Sequence, residues 1–175
     1  MAQENVEIVR QFIAAARSGD VDAIEAFVAV SNPSIEHTRL PAASGPERYC
    51  GHDGVRRWFT DMADLWREWR NEIEELVEVG PDTVAARVRF IAVGRDSGVP
   101  VEARLGLVCV LSEGKILRSR TYASGEAALE AVGLSEYPLR RGRLGLVSKW
   151  AANPLVERQR TKELHPRAHA LPVPT

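Results

Sequence analysis

Cysteine is scarce in this chain. Its 175 residues include only Cys50 and Cys109, and neither belongs to a C-x-x-C pair. No histidine or further cysteine stands at the spacing of a zinc site, so we expect neither a metal site nor a disulfide framework. So few cysteines are typical of a reducing compartment, and we expect a cytoplasmic protein.

Long apolar runs and an excess of charge of one sign are also missing. The formal net charge is −1, and the first residues are polar and acidic where a secretory signal would be basic and then apolar. No apolar segment approaches the length of a membrane span. These absences argue against membrane insertion and against binding to nucleic acid by charge alone. With 45% hydrophobic and 27% charged residues, the composition is that of an ordinary globular chain.

The balanced charge hides two different segments. Residues 134–175 hold eight basic and three acidic residues, whereas residues 1–133 hold 15 basic and 21 acidic ones. Four prolines follow residue 153, and no regular apolar spacing continues there. We therefore expect one folded domain over residues 1–134 and a basic, irregular extension over residues 135–175.

Helical spacing of apolar residues dominates the first part of the chain. Positions three and four apart predict helices over residues 6–16, 21–28 and 55–69. Asp20 is the expected N-cap of the second helix and Asp53 that of the third. Asn32 and Pro33 are expected to close the second helix, and a short strand is predicted at residues 34–39.

From residue 71 onward the apolar period changes to two. This alternation predicts strands over residues 73–79, 84–93, 101–111 and 116–122, and glycine-containing turns between them favour an antiparallel meander. A short closing helix is expected over residues 126–134. Helices followed by sheet indicate an α+β fold.

Four phrases carry a family resemblance: Glu4-Asn-Val-Glu-Ile-Val-Arg-Gln-Phe, Ser18-Gly-Asp-Val-Asp-Ala, Gly51-His-Asp-Gly-Val-Arg-Arg-Trp and Gly114-Lys-Ile. In this order they resemble the SnoaL-like, nuclear transport factor 2-like superfamily across residues 1–134. The resemblance implies three helices packed on a curved, mainly antiparallel sheet that forms a conical pocket. The superfamily includes polyketide cyclases and ketosteroid isomerases as well as members that only bind or dimerise, so the fold alone does not settle the function.

Positions that carry chemistry in those enzymes hold other residues here. Leu107 stands where isomerase-like members have an acidic donor and cyclase-like members a histidine, Thr121 replaces the acid of cyclase-like members, and Phe12 replaces a tyrosine. His37 aligns with the general-base aspartate of isomerase-like members. An imidazole can accept a proton near neutral pH, so His37 is the candidate base; ligand orientation or a buried hydrogen bond is the alternative.

The resemblance also implies which side chains line the pocket. Alternation turns Leu105, Leu107 and Cys109 inward, with Leu117, Ser119 and Thr121 inward on the next strand. The predicted substrate-binding set is Phe12, Tyr49, Trp58, Phe59, Met62, Trp66, Phe90, Leu105, Leu107, Ser119 and Thr121.

The opposite face of the sheet carries alternating arginines that we expect to pair with Glu74 and Glu102 or to enter an interface. Val108, Val110 and Ile91 lie among these charges, so a homodimer through this outer face is predicted.

Two functions follow from this pattern. One is an enzyme that acts on a small apolar molecule by proton transfer, as an isomerase, cyclase or dehydratase, with His37 as its base and without cofactor or metal. The other is a non-catalytic module that binds a small apolar molecule or dimerises. The substitutions at Leu107 and Thr121 slightly favour the second.

Overall fold

The computed structural model describes residues 2–19, 21–40 and 46–134. Within them lie four helices, α1 (Ala2–Ala15), α2 (Val21–Ala29), α3 (Gly51–Leu65) and α4 (Gly125–Ala131), and six strands, β1 (Ser31–Thr38), β2 (Arg48–Cys50), β3 (Trp66–Glu78), β4 (Thr83–Gly94), β5 (Pro100–Ser112) and β6 (Lys115–Tyr122). The chain divides into two units, Met1–Leu139 and Arg140–Thr175. The predicted irregular extension and the N-cap role of Asp20 lie outside the described residues, and the boundary at residue 134 stays a prediction.

The six strands form one open sheet in the order β2-β1-β6-β5-β4-β3. Strands β3, β4, β5 and β6 make the predicted antiparallel meander, while β1 joins it as a parallel neighbour of β6. Register shifts interrupt three of these pairings. Such bulges increase the twist and bend of a sheet. The α+β class and the curved, mainly antiparallel sheet are therefore confirmed.

Helices cover both faces of the sheet. On the inner face, α1, α2 and α3 bury the main core against inward side chains of the strands, among them Val84, Val88 and Cys109. On the outer face, α4 buries a second, smaller core that contains Val77, Ala85 and Val108. Ser124 caps α4 by accepting a hydrogen bond from the backbone N–H of Ala127 at 3.1 Å. The closing helix predicted over residues 126–134 is thus present, and it lies on the outer side.

The prediction that the third helix runs to residue 69 was wrong. The helix ends at Leu65, and Trp66 and Trp69 lie in β3. Trp66 pairs with Gly94 and Glu68 with Val93, so Arg67 is the extra residue of a bulge. The bulge turns both tryptophans toward the inner face although they are three residues apart, and this spacing imitates a helix.

A second bulge corrects the prediction for Leu117. Leu111 pairs with Ile116 and Val110 with Arg118, which leaves Leu117 as the extra residue. Ile116 is therefore fully buried on the inner side, whereas Leu117 is only half-buried. Ser119 keeps its predicted inward direction, because it pairs with the buried Cys109.

The segment around residues 31–51 also differs from the predicted boundaries. Asn32 and Pro33 belong to β1, where the register shift between Ser31 and Glu36 leaves Pro33 outside the regular pairing with β6. The three-residue strand β2 was not predicted. Helix α3 begins at Gly51 with Cys50 at its N-cap, so Asp53 lies in the first helical turn rather than at the cap.

Candidate active site

His37 lies on the inner face of β1, the second strand from one edge of the sheet. It pairs with Tyr49 of β2 on one side and with Ser119 of β6 on the other. The residue is only 3% exposed, and its Nδ1 lies 2.5 Å from the Oγ of Ser119, which is itself 1% exposed. Two strands that are distant in sequence thus place a hydrogen-bonded imidazole and hydroxyl inside the domain.

Aromatic rings surround this imidazole. The ring of Trp58 on α3 meets it edge to face with 4.6 Å between centroids. Phe27 and Phe12 lie at 6.1 Å and 6.4 Å, and Tyr49 at 6.4 Å. Each of these four residues is at most 6% exposed. The histidine is therefore largely shielded from bulk solvent by aromatic rings.

This environment sets the charge of His37. Burial, and then the positive charge of Arg39, lower the pKa of His37 from 6.5 to about 4. The apolar surroundings therefore disfavour the charged imidazolium form. At neutral pH the ring is uncharged.

Two polar atoms in this cluster have no hydrogen-bond partner among the described residues. They are Nε2 of His37 and Nε1 of Trp58, both fully shielded from solvent. Buried polar groups are nearly always paired in native proteins, and an unpaired one costs about 1–3 kcal/mol. Two such atoms lie on neighbouring rings of the cluster, Nε2 on His37 and Nε1 on Trp58.

Tyr49 is present in the cluster with its hydroxyl already engaged. That hydroxyl donates to Oδ2 of Asp61 at 2.7 Å. Burial, followed by this hydrogen bond, raises the pKa of Tyr49 to about 12. The guanidinium of Arg39 lies 5.8 Å from the centroid of the ring. Tyr49 therefore contributes its ring to the site, while its hydroxyl binds Asp61.

The other predicted pocket residues extend away from His37 along the inner face. Phe59 packs against Trp58, and Trp69 links Trp58 to Phe90, which in turn contacts the half-buried Trp66. Met62 and Leu107 are buried in the same core, and Leu105 packs against it. Thr121 is half-buried opposite Leu107. None of these side chains adds a second titratable group beside the imidazole.

Sequence reasoning missed several members of the cluster. Phe27 is fully buried and lies against Phe12 with 4.0 Å between ring centroids, but its position in α2 indicated only a core role. Trp69 was assigned to the wrong element. The contributions of Arg39 and Asp61 depend on the packing of β1, β2 and α3, for which no local pattern exists.

Two further titratable side chains, those of His52 and Cys109, have structural roles. Nε2 of His52 lies 3.1 Å from the backbone oxygen of Ser31 and ties the start of α3 to β1. Burial raises the pKa of the Cys109 thiol, which keeps it protonated and unreactive. The described residues contain no group of three His, Cys, Asp or Glu side chains placed to hold a metal ion.

The outer face carries the predicted ladder of ion pairs. Arg89 pairs with Glu72 and Glu102, Arg104 pairs with Glu74, and Arg87 lies between Glu75 and Glu126. The expected partners Glu74 and Glu102 are thus confirmed. Val108, one of three apolar residues assigned to a dimer surface, is covered by α4 and only 8% exposed. Ile91 and Val110 remain half-buried on this face.

No helix in the described ranges is both long and apolar enough to cross a membrane.

Solved structures with the same architecture are numerous. A ketosteroid isomerase-like protein from Catenulispora acidiphila, in complex with trimethylamine, is 15% identical with a TM-score of 0.58 and covers 73% of this chain and 93% of its own. TerC, co-crystallised with polyporic acid, is 19% identical with a TM-score of 0.60, over 74% of this chain and 98% of its own. A nuclear transport factor 2-like protein from Burkholderia thailandensis is 23% identical with a TM-score of 0.58, over 74% and 96%. At these identities the likeness shows the fold.

The family follows from the sequence itself. No curated protein matches the chain. The family model of the SnoaL-like domain matches residues 9–119, which include the second half of α1, all of α2 and α3, and the site around His37. Because this match spans more than half of the sequence, the chain belongs to the SnoaL-like domain family.

Proposed function

We propose that this domain binds a small, mainly apolar molecule against the inner face of the sheet, with the polar end of that molecule at His37 and Trp58. The observation that carries the proposal is the pair of unpartnered nitrogens, Nε2 of His37 and Nε1 of Trp58, inside an aromatic cluster. An apolar site with a few convergent polar groups is the usual design of a small-molecule site.

Two solved structures of the same fold, each containing a small molecule, support the proposal that this domain binds one. One was solved with trimethylamine and one with polyporic acid. The first ligand is a small amine and the second an aromatic acid, so the fold accommodates ligands of different chemistry. The aromatic rings around His37 favour a flat, largely apolar body here.

The test is to block the inner face with a bulky side chain. Leu107 faces the core and Val110 faces outward on the same strand, so Leu107→Trp and Val110→Trp add similar bulk to opposite sides. We expect indane and 1-indanone, detected by ligand-observed NMR, to bind the wild type and Val110→Trp but not Leu107→Trp. Circular dichroism checks that each variant folds, and Leu107→Phe is the milder replacement. Equal binding by both tryptophan variants would overturn the proposal.

A second candidate function is catalysis of proton transfer, as in an isomerase, cyclase or dehydratase. The uncharged state of His37 favours it, because a neutral imidazole can accept a proton. Its lowered pKa makes it a weak base, and neither Leu107 nor Thr121 supplies the acid that would stabilise developing charge. Binding without turnover is therefore the better supported function.

Deuterium exchange separates the two candidates. A base at the site would accelerate the exchange of the C2 hydrogens of 1-indanone in D₂O, and His37→Gln would abolish this acceleration. If the wild type exchanges these hydrogens no faster than buffer while it binds the ketone, catalysis by His37 is excluded for this class of carbon acid.

A homodimer through the outer face of the sheet is part of the same proposal. Ile91 and Val110 are the apolar residues left half-buried there beside the ion pairs of Arg89 and Arg104. A surface that mixes apolar residues with paired charges suits a modest two-fold interface.

A further inference from the structure

The hydrogen bond between Ser119 and His37 determines which nitrogen of the imidazole carries the hydrogen. The Ser119 hydroxyl is buried, and among the described residues Nδ1 of His37 is its one hydrogen-bond partner. If Ser119 donates to Nδ1, only Nε2–H of the neutral ring is left without a partner, whereas the reverse direction would leave both the hydroxyl hydrogen and the lone pair of Nε2 unpaired. The arrangement with fewer unpaired groups has Ser119 as the donor to Nδ1 and the hydrogen of the neutral ring on Nε2.

This tautomer makes both unpartnered nitrogens hydrogen-bond donors. An indole nitrogen is always a donor, so Nε1–H of Trp58 is a donor as well. With the hydrogen on Nε2, His37 and Trp58 present two N–H groups and no acceptor. The two rings are in edge-to-face contact with 4.6 Å between centroids, so the two donors lie on neighbouring rings.

We propose that His37 and Trp58 form a two-donor site that selects a ligand whose polar end is an oxygen acceptor without a hydrogen to donate, such as a ketone, ester or quinone. An alcohol fits less well, since its hydroxyl hydrogen faces N–H groups. A charged carboxylate must be transferred into a site walled by Phe12, Phe27 and Tyr49, which opposes its binding. In this role His37 donates to the ligand through Nε2 and does not accept a proton there.

This inference rests on the proposed function, because it names the ligand class of the same site. Three compounds of one shape test it: indane, 1-indanone and 1-indanol. We expect the wild type to bind 1-indanone roughly tenfold more tightly than indane, as two net hydrogen bonds require, and more tightly than 1-indanol.

Variants test whether the two donors cause the preference for the ketone over the hydrocarbon. Trp58→Phe and His37→Phe each remove one N–H while keeping a ring, and each is expected to lower the ketone-over-hydrocarbon preference about threefold. His37→Gln restores an N–H donor and should recover part of the preference that His37→Phe loses. His52→Phe is the matched control, since it removes an imidazole that lies outside the cluster and contacts the backbone oxygen of Ser31; its preference should equal that of the wild type.

An NMR measurement tests the tautomer without any ligand. Long-range ¹H–¹⁵N spectra of the wild-type protein at neutral pH identify the protonated nitrogen of His37, and we expect Nε2. A hydrogen on Nδ1, or tighter binding of 1-indanol than of 1-indanone, would overturn the two-donor site. Equal binding of 1-indanone and indane would overturn it too while leaving the proposed function intact, whereas failure of all three compounds to bind would overturn both.

Discussion

Gly106 of β5 lies directly beneath Ala128 of α4, with no room for a side chain between them. A β-carbon at Gly106 would collide with the methyl group of Ala128 and with the backbone oxygen of Ser124. The closing helix thus sits on the sheet at the position where the strand has no side chain. This close approach builds the small outer core of Val77, Ala85 and Val108.

Gly106→Ala is therefore expected to destabilise the domain by about 1–3 kcal/mol, because the backbone of α4 has to move away from the strand. Urea unfolding measures the loss. Arg104→Ala is the control. It leaves an alanine at an exposed position of the same strand and face and removes only an exposed ion pair, so it should cost under about 1 kcal/mol. Similar values for both variants would mean that α4 adapts freely.

The low pKa of His37 predicts a pH dependence of stability. The unfolded chain protonates this histidine below about 6.5 and the folded chain only below about 4. Between these values the unfolded state binds more protons, so stability is complete above pH 6.5 and falls toward pH 4. The contribution lost is about 3 kcal/mol.

Urea unfolding from pH 7.5 to 4 checks this by comparing the wild type with His37→Gln. The variant should lack that part of the pH dependence, whereas His52→Gln, which changes a half-buried histidine at the start of α3, should retain it. A wild type and a His37→Gln variant with parallel pH profiles would contradict the burial of an uncharged imidazole.

The outer-face dimer predicts a concentration-dependent mass. Light scattering at tens of micromolar, a range in which modest interfaces are populated, should report a dimer. Ile91→Asp should convert it to a monomer by placing a charge in the interface. Val21→Asp changes an apolar residue that is 69% exposed on α2 and should leave the mass unchanged. A wild-type monomer at this concentration would rule the interface out.

The composition shift after Leu134 predicts that the extension is dispensable for stability. A chain that ends at Tyr137 should unfold at essentially the same melting temperature as the full chain, because no regular apolar spacing continues beyond that point. Calorimetry of both chains tests this. A clear drop in melting temperature on truncation would show instead that residues such as Trp150 stabilise the domain.

Much of the fold was predictable because periodicity and turn residues report local structure. The meander of β3 to β6 follows from alternation and turn residues, whereas the inward direction of Leu107 and Ser119 needs the family resemblance in addition. The failures at Trp66, Trp69 and Leu117 have one cause, which is that a single extra residue in a bulge shifts the alternation and leaves no mark in the residue types.

The site was predictable to a lesser extent. His37 emerged as the candidate base, but its hydrogen bond to Ser119 and its contact with Trp58 depend on how three elements pack. The residue types show which hydrogen-bonding groups the chain has. Only the packed structure shows which of these groups have no partner. The orphaned nitrogens of His37 and Trp58 are visible for this reason only in three dimensions.

The parallel pairing of β1 with β6 has a consequence for how the chain acquires its site. Residues 37 and 119 are 82 positions apart, and β3, β4 and β5 are synthesised between them. Long-range pairings of this kind form slowly, because a large loop must close before they contribute. During synthesis, His37 leaves the ribosome long before Ser119 exists, so the hydrogen bond between them is made only after β6 is available to pair with β1. We therefore expect the site to be completed late in folding.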